Sequence, residues 1–276
     1  MEKITTLDFF TNALNFVKSF NKKSVINYYF NTIKSESLIN NAELSSITIG
    51  EVVFLFKLNT QFLNLYFYAS DSVELGKSLE KLVTFYPDMT VIVDFVTTES
   101  DPEILNVFYQ NGFNLYTSLV RMNRISNGIL KVDEVTDQHL KVANREESLE
   151  VYNQLCKFFD PKAEQLPTHD EIILFSNNEN ILVYKIKNQV AGFIIYQLFG
   201  VTLYLRYWFV SPSFRERKIG SKLFNYFLIK GRDTKRQLFW VIQANENAIV
   251  RYKHYGFIEE KMYNFVLTNK NIKYEG

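Results

Sequence analysis

The segment from Ser211 to Ser221 is a short basic loop with the features of a phosphate site. The apolar pair Phe209-Val210 precedes it, Gly220 lies near its end, and a helix is predicted next from the apolar positions Leu223, Phe224, Phe227 and Leu228. Backbone N–H groups at a helix N-terminus point outward, and the helix dipole favours negative charge there. The loop therefore predicts binding of a phosphate or pyrophosphate, and the alternative is a solvated basic turn that only caps a helix.

A second candidate lies farther along the chain, in the run from Asn245 to Phe257. It reads as a short helix that ends at Gly256, a residue free to adopt the left-handed conformation of a helix C-terminus. Tyr252 lies within it, and a phenol with a pKa of ~10 can donate a proton at neutral pH. The alternative is a Tyr that only packs on the helix, as many of the 17 Tyr residues must.

Together the two patterns resemble those of the GNAT acetyltransferase superfamily. Its acyl-coenzyme A loop has the pattern Arg/Gln-x-x-Gly-x-Gly/Ala; Arg215 and Gly220 match it, and Lys218 stands where the first Gly is expected. The later run matches Asn-x-x-Ala-x-x-x-Tyr-x-x-x-Gly-Phe at every named position, from Asn245 to Phe257. The resemblance implies transfer of an acetyl group from acetyl-coenzyme A to a primary amine by direct attack in a ternary complex, without an acyl-enzyme.

The resemblance also implies roles for individual residues. The Val210 N–H would polarise the acyl carbonyl and Tyr252 would protonate the sulfur, which makes these two the catalytic candidates. Arg217, Lys218 and Lys222 would supply positive charge. The cofactor-binding candidates are Phe209, Val210, Arg215, Glu216, Arg217, Lys218, Ile219, Gly220, Ser221, Asn245 and Tyr252.

The acceptor side is less well defined by the residues. Tyr204, Arg206 and Trp208 alternate along one predicted strand and so share a face. Arg206 is a candidate for binding a carboxylate on the acceptor, or else pairs with an internal acid or lies exposed. An amine must lose a proton before it attacks, but no Asp or Glu lies on this strand, and the sequence identifies no general base.

A weak internal repeat indicates two related domains. The Gly112-Phe113 pair precedes Gly256-Phe257 by 144 residues, and the same offset pairs Gly76 with Gly220 and Leu65 with Phe209. We predict domains at 1–126 and 129–276, joined around residues 126 to 128. Each is expected to be α/β, with a mixed, mostly antiparallel sheet flanked by helices.

In the second half the pattern predicts the elements in order. Helices are expected near 146–158, 169–175, 221–230 and 248–255, and strands near 130–134, 181–187, 191–198, 203–210 and 237–244, followed by a last pair of strands. The apolar stretch 191–210 is read as two strands with a turn at Phe199-Gly200, rather than as a membrane span.

The first half lacks the chemical groups of the second. At the offset of 144, Asp71 replaces Arg215, Phe108 replaces Tyr252 and Asp101 replaces Asn245. A Phe cannot protonate a thiolate, and an acidic segment repels a pyrophosphate. We predict that the first domain keeps the fold without the cofactor site.

Composition narrows the class of protein. A net charge of +1 argues against a nucleic-acid binder, the His residues lack metal-ligand spacing, and no membrane partner is expected. The single cysteine, Cys156, rules out an internal disulfide framework, is expected to be buried, and fits a cytoplasmic protein. The acceptor of the acetyl group would be a small-molecule or peptide amine. The sequence does not decide whether the protein is a monomer or a homodimer.

The sequence leaves two other functions open. The chain could bind coenzyme A or serve as a scaffold without catalysis, which the Lys218 substitution and the missing base favour. Tandem GNAT-like chains also include transferases with a larger acyl donor or acceptor, and nothing in this sequence selects those.

Overall fold

The computed structural model describes residues 1–83, 88–100, 102–126 and 137–274. The chain divides into two compact units, one containing Met1–Leu119 and Lys261–Gly276, the other Val120–Glu260. Each has a mixed, mostly antiparallel sheet flanked by helices, which confirms the predicted fold class.

In the first unit, the sheet order is β1-β3-β4-β5-β6-β13, with β2 beside β5, and only β5 and β6 run parallel. One sheet face packs against α1 and α2 and the other against α3 and α4. The elements are β1 (Glu2–Lys3), α1 (Asp8–Phe20), β2 (Val25–Ile26), α2 (Thr32–Asn40), β3 (Leu44–Ile49), β4 (Val52–Leu58), β5 (Leu63–Ala69), α3 (Ser72–Val83), β6 (Val91–Thr97), α4 (Glu103–Gln110) and, from the end of the chain, β13 (Ile258–Thr268).

In the second unit, the order is β7-β12-β11-β10-β9-β8, and β11 runs parallel to β12. Helices α5 and α6 cover Phe193 and Tyr207 on one face, and α7 places Phe224 against Trp208 on the other. The elements are β7 (Asn114–Ile125), β8 (Leu140–Val142), α5 (Arg145–Phe158), α6 (His169–Asn177), β9 (Ile181–Ile186), β10 (Gln189–Phe199), β11 (Thr202–Val210), a 3-10 turn (Pro212–Phe214), α7 (Ile219–Lys230), β12 (Arg236–Ile242) and α8 (Glu246–His254).

Each half of the sequence contributes to the other half's unit: β13 from Lys261 onward belongs to the first unit, and β7 from Val120 onward belongs to the second. Most of β13 pairs with β6, from Tyr263 opposite Thr97 to Thr268 opposite Ile92. Conversely, the end of β7 lies next to β12. The packing units therefore differ from the segments 1–126 and 129–276, because each sheet is completed by a strand from the other half of the sequence. The domain boundaries themselves stay a prediction.

Most predicted elements of the second half lie within a few residues of the observed ones. The stretch 191–210 forms β10 and β11, and Gly200 in the turn between them has a φ of 55°. Two details are wrong: among the described residues one long strand, β13, follows α8 instead of a pair, and Cys156 is exposed. The strand predicted near 130–134 lies outside the described residues.

The described residues contain no candidate membrane span and no candidate metal cluster. None of the helices in these residues combines the length and apolar character that a membrane span requires. Within the same ranges, His, Cys, Asp and Glu side chains form no group of three that could hold a metal ion.

Candidate functional site

Strand β11 has an open edge along its second half. On one side it pairs with β10 from Thr202 to Val210. On the other side it pairs with β12 only from Thr202 to Tyr204, among the residues described. The two parallel strands diverge beyond Tyr204, which leaves a gap and backbone groups that a ligand can reach.

The alternation of the β11 backbone places the Val210 amide at this gap. The Ser211 N–H donates to the Ala191 carbonyl at 3.0 Å, on the β10 side. Neighbouring residues in a strand present their N–H groups to opposite sides, so the Val210 N–H faces away from β10. The Arg215 Nε lies 3.5 Å from the Val210 carbonyl oxygen on this same edge.

The loop between β11 and α7 presents a series of backbone donors. Glu216 and Lys218 have positive φ values of 68° and 59°, which curve the loop before α7 begins at Ile219. Among the described residues, no backbone carbonyl accepts a hydrogen bond from the N–H groups of residues 216 to 221. Consecutive N–H groups of this kind form a concave anion site at a helix N-terminus.

Lys218 adopts the conformation that a glycine would favour. Its φ and ψ of 59° and 14° lie in the left-handed region, which costs an L-residue roughly 1–2 kcal/mol. At Gly220, by contrast, space is tight: a Cβ there would lie 3.2 Å from Cζ2 of Trp208. The loop thus keeps its shape although Lys replaces the expected Gly.

These elements enclose a cavity of about 720 Å³. All the predicted cofactor-binding residues except Arg217 line it, as does Trp208 from the predicted acceptor face. The lining residues are Trp208, Phe209, Val210, Phe214, Arg215, Glu216, Lys218, Ile219, Gly220, Ser221, Asn245, Ala248, Arg251 and Tyr252.

Four other candidates do not line the cavity. Arg217 lies with its guanidinium carbon 5.5 Å from the Phe214 ring centroid. The Lys222 Nζ lies 2.6 Å from Asp137 Oδ2 and also contacts Tyr184, so its charge is engaged away from the loop. Arg206 is exposed and Tyr204 partly buried. The pairing of β11 with β10 skips Arg206, because Ile195 lies opposite Tyr207 and Tyr196 opposite Leu205. This bulge interrupts the alternation, so Tyr204 does not lie on the same face as Trp208 and the predicted shared face is not formed.

Helix α8 carries Tyr252 into the cavity. Asn245 caps this helix, because its Oδ1 accepts the Ala248 N–H at 3.1 Å. The Tyr252 ring packs 4.3 Å from Phe239 and 5.8 Å from Trp208, measured between centroids. Burial raises the pKa of Tyr252, with Arg251 opposing the shift, so the phenol stays protonated at neutral pH and remains a proton donor.

Three of the lining residues were not among the site residues predicted from the sequence: Phe214, Ala248 and Arg251. Helical spacing was a usable signal for Ala248, which lies four residues before Tyr252 on the same face of α8. The buried Trp208 Nε1 is a further feature that only the structure reveals, because it has no hydrogen-bond partner in the described part of the chain. A donor without a protein partner beside an open strand edge suits a site that a polar ligand completes.

The comparisons with known proteins agree with this geometry. The model of the acetyltransferase (GNAT) family matches residues 147–257. Residues 147–257 are a GNAT acetyltransferase domain. Comparison with curated proteins finds no match.

Several solved structures resemble this chain in fold over both halves of its sequence. A GCN5-related N-acetyltransferase from Sphaerobacter thermophilus is 14% identical with a TM-score of 0.55, over 85% of this chain and 84% of its own. A GNAT-family acetyltransferase from Colwellia psychrerythraea is 12% identical with a TM-score of 0.53, over 97% of each chain. A tandem GNAT protein from the clavulanic acid biosynthesis pathway is 9% identical with a TM-score of 0.54, over 79% of this chain and 78% of its own. At these identities the likeness concerns the fold.

The strand edge that is open in the GNAT domain is covered in the first unit. Strand β5 pairs with β6 only from Leu63 to Leu65, but β2 then pairs with Tyr68 and Ala69. Asn27 fills the remaining position: its Nδ2 donates to the carbonyls of Leu65 and Asp94, and its Oδ1 accepts the Phe67 N–H at 2.6 Å. The segment after α1 thus occupies the backbone groups that a ligand would use.

The first unit also lacks the phosphate loop. Only Ser70 and Asp71 separate β5 from α3, whereas residues 211 to 218 separate β11 from α7 in the GNAT domain. The offset of 144 is therefore wrong at this loop, and Asp71 is not the counterpart of Arg215. Its carboxylate accepts the Glu74 N–H at 2.9 Å at the start of α3. Phe108 is buried in the core, and Asp101 lies outside the described residues.

Proposed function

We propose that this chain is an N-acetyltransferase that moves an acetyl group from acetyl-coenzyme A to a primary amine in a ternary complex. One observation carries the proposal: an open β11 edge, an N–H-lined loop and the Tyr252 hydroxyl belong to a single cavity. Pyrophosphate would bind the N–H groups of residues 216 to 221. The pantetheine arm would pair with the backbone of Phe209 and Val210.

In this proposal the reaction takes place at the gap between β11 and β12. The Val210 N–H donates to the acetyl carbonyl oxygen and stabilises the oxyanion of the tetrahedral intermediate. The amine nitrogen forms the new bond to the carbonyl carbon, and the carbon–sulfur bond breaks. The departing thiolate takes a proton from Tyr252. Positioning of the two substrates supplies much of the rate.

The acceptor and the number of sites belong to the same proposal. Trp208, which lines the cavity, would face the acceptor, a small-molecule or peptide amine, and Arg206 would bind a carboxylate if the acceptor has one. One acetyl-coenzyme A would bind per chain, in the 129–276 segment, since β2 and Asn27 cover the corresponding edge in the first unit. The protein would act in the cytoplasm, without metal and without nucleic acid.

Calorimetry and a thiol-release assay test this function. We expect acetyl-coenzyme A to bind with a stoichiometry of one, and thiol release to depend on an amine from a panel of alkylamines, polyamines, amino acids, amino sugars and peptide N-termini. Two molecules bound per chain would contradict the single site. Tight binding without turnover on any amine would favour a non-catalytic coenzyme A-binding protein, and turnover only with longer acyl-coenzymes would favour a larger donor.

Replacing Lys218 or Glu216 by Gly tests two effects separately: the backbone strain of the loop and the charge of each side chain. Both residues have left-handed backbones and line the cavity, so each substitution should relieve strain of about 1 kcal/mol and raise Tm by roughly 2–4 °C. Their effects on ligand binding should be opposite. Removing the Lys218 cation should weaken acetyl-coenzyme A binding about threefold, and removing the Glu216 anion should strengthen it about threefold at low salt.

Thermal unfolding and calorimetry at two ionic strengths measure these effects. High salt should reduce the difference in affinity between the two variants, whereas the Tm gains should persist. Equal affinities for both variants at low salt would show that these charges do not face the ligand.

A further inference from the structure

A stack of aromatic rings leads from the cavity of the GNAT domain to the end of α5. The Phe158 ring is stacked on Phe209, with centroids 4.9 Å apart and planes at 29°. The Phe159 ring lies 5.7 Å from Phe209 and contacts Tyr207 edge-on at 5.6 Å, both measured between centroids. Phe209 is one of the residues that line the cavity. The rings therefore connect the cavity with the protein surface beside α5.

Phe158 is the outermost ring of this stack. The residue is 42% exposed, whereas Phe159 and Phe209 are half-buried and Tyr207 is buried. Because one face of the Phe158 ring packs on Phe209, its exposed area belongs to the opposite face and the ring edge. Ligand sites are lined mainly by apolar and aromatic side chains, and aromatic rings pack well on one another in offset stacks. An exposed ring face at the entrance to a cavity therefore suits a ligand that has an aromatic ring of its own.

The outer face of Phe158 carries a flexible cation. The Lys157 Nζ lies 5.1 Å from the centroid of the Phe158 ring, and since Phe209 occupies one face, the ammonium lies over the other. Lys157 is exposed, and a cation–π contact at an exposed site is weak. A ligand ring can therefore displace the Lys157 side chain and occupy the same face without a change in the backbone.

The stack lies on the face of the sheet opposite the phosphate loop. Phe209 packs on the α5–α6 side, with its ring centroid 5.5 Å from that of Phe193. On the other side, Trp208 packs against α7, and Gly220 at the start of that helix lies beside the Trp208 ring. A coenzyme on the loop side leaves the α5–α6 side of the gap to the acceptor. An amine at the gap then has the rest of its molecule next to Phe209 and Phe158.

We propose that the acceptor is an arylalkylamine, a primary amine joined to an aromatic ring by a short carbon chain, and that Phe158 selects it. The inference rests on the proposed acetyl transfer and names its substrate class. The acceptor ring stacks on the outer face of Phe158 in place of the Lys157 ammonium, and the carbon chain brings the amine to the gap between β11 and β12.

The bonds made and broken are those of the proposed transfer. The amine nitrogen forms the new bond to the acetyl carbon, and the carbon–sulfur bond breaks. The ammonium gives up two protons to solvent, one of which Tyr252 regains after it has protonated the sulfur. Phe158 takes no part in these steps, so its effect should lie in acceptor binding and appear in KM more than in kcat.

Thiol release with 2-phenylethylamine and with ethylamine tests the stacking surface. In the unchanged protein, kcat/KM should be about thirtyfold higher for 2-phenylethylamine, because its ring is stacked and partly removed from water. Phe158→Ala should lower kcat/KM for 2-phenylethylamine about tenfold, mainly through KM, and leave the value for ethylamine within about twofold. The change in the ratio between the two amines is the decisive quantity, because any difference in their own pKa values cancels between the two proteins.

Two further variants distinguish a stacking surface from a structural residue. Phe199→Ala is the matched control, because Phe199 is a 51% exposed residue of the same unit at the β10–β11 turn and does not line the cavity; it should leave the ratio unchanged. Lys157→Ala removes the cation that competes for the ring face, so it should raise kcat/KM for 2-phenylethylamine about threefold. An effect of charge alone would raise kcat/KM for both amines equally.

An unchanged ratio of the two kcat/KM values in Phe158→Ala would overturn the proposal, as would equal kcat/KM values for both amines in the unchanged protein. If Phe158→Ala does not fold, Phe158→Leu replaces it and should lower the ratio about threefold, since the apolar contact stays and the ring stacking is lost. Failure of the acetyl transfer itself would appear differently. Thiol would then be released with none of the amines, while calorimetry in the presence of coenzyme A would still show 2-phenylethylamine binding that Phe158→Ala weakens.

Discussion

Replacing Tyr252 by Phe should lower kcat for acetyl transfer about a hundredfold, within the range of general acid catalysis. The substitution removes the only hydroxyl that α8 brings to the cavity lining among the described residues, while the ring keeps its packing on Phe239 and Trp208. Acetyl-coenzyme A affinity should therefore stay within about threefold. Steady-state thiol release and calorimetry measure the two quantities.

Tyr255→Phe is the matched control for this substitution. Tyr255 follows the same helix and packs 4.6 Å from Phe224, but it does not line the cavity. It should leave kcat nearly unchanged. Equal kcat values for the two variants would mean that Tyr252 only packs, which is the alternative that the sequence left open.

Replacing Asn27 by Ala should lower the free energy of unfolding of the first unit by about 3 kcal/mol. The side chain is 4% exposed and makes three hydrogen bonds to the backbone of β5 and β6. Each such bond contributes roughly 1 kcal/mol, and the buried groups left without partners add to the loss. Urea unfolding followed by an optical signal measures the change.

Asn31→Ala provides the comparison, because Asn31 is exposed and only caps α2 through the Lys34 N–H. It should cost about 1 kcal/mol. The stoichiometry of acetyl-coenzyme A should stay at one in both variants, since the first unit still lacks a phosphate loop. A loss below 1 kcal/mol for Asn27→Ala would show that Asn27 does not hold the β5 edge closed.

Some local features of the cavity could be predicted from the sequence because they depend on local geometry. Gly220 permits close packing against Trp208, Asn245 caps α8, and Tyr252 lies one turn after Ala248. Each feature depends on residues a few positions apart, so a pattern of residue types contains it. Their catalytic and binding roles stay predictions.

The sequence failed where the geometry depends on distant segments. The repeat offset paired Asp71 with Arg215 of the loop, yet Asp71 directly precedes α3. No sequence pattern placed Asn27 between β5 and β6, because its partners Leu65 and Asp94 lie 38 and 67 residues farther along the chain. Nor did it predict that β13 would pair with β6, because apolar strands carry little information about which neighbour they choose.

By itself, then, the sequence indicated the resemblance to GNAT acetyltransferases, the fold class and most of the residues that line the cavity, because these follow from short-range spacing and from the chemistry of each side chain. The tertiary structure decided which strand edge is open and which is covered, and it decided the left-handed backbone of Lys218. These depend on hydrogen bonds and burial between segments far apart in the chain. Such contacts set which backbone groups a ligand can reach, and they set the pKa values of the groups that would act on it.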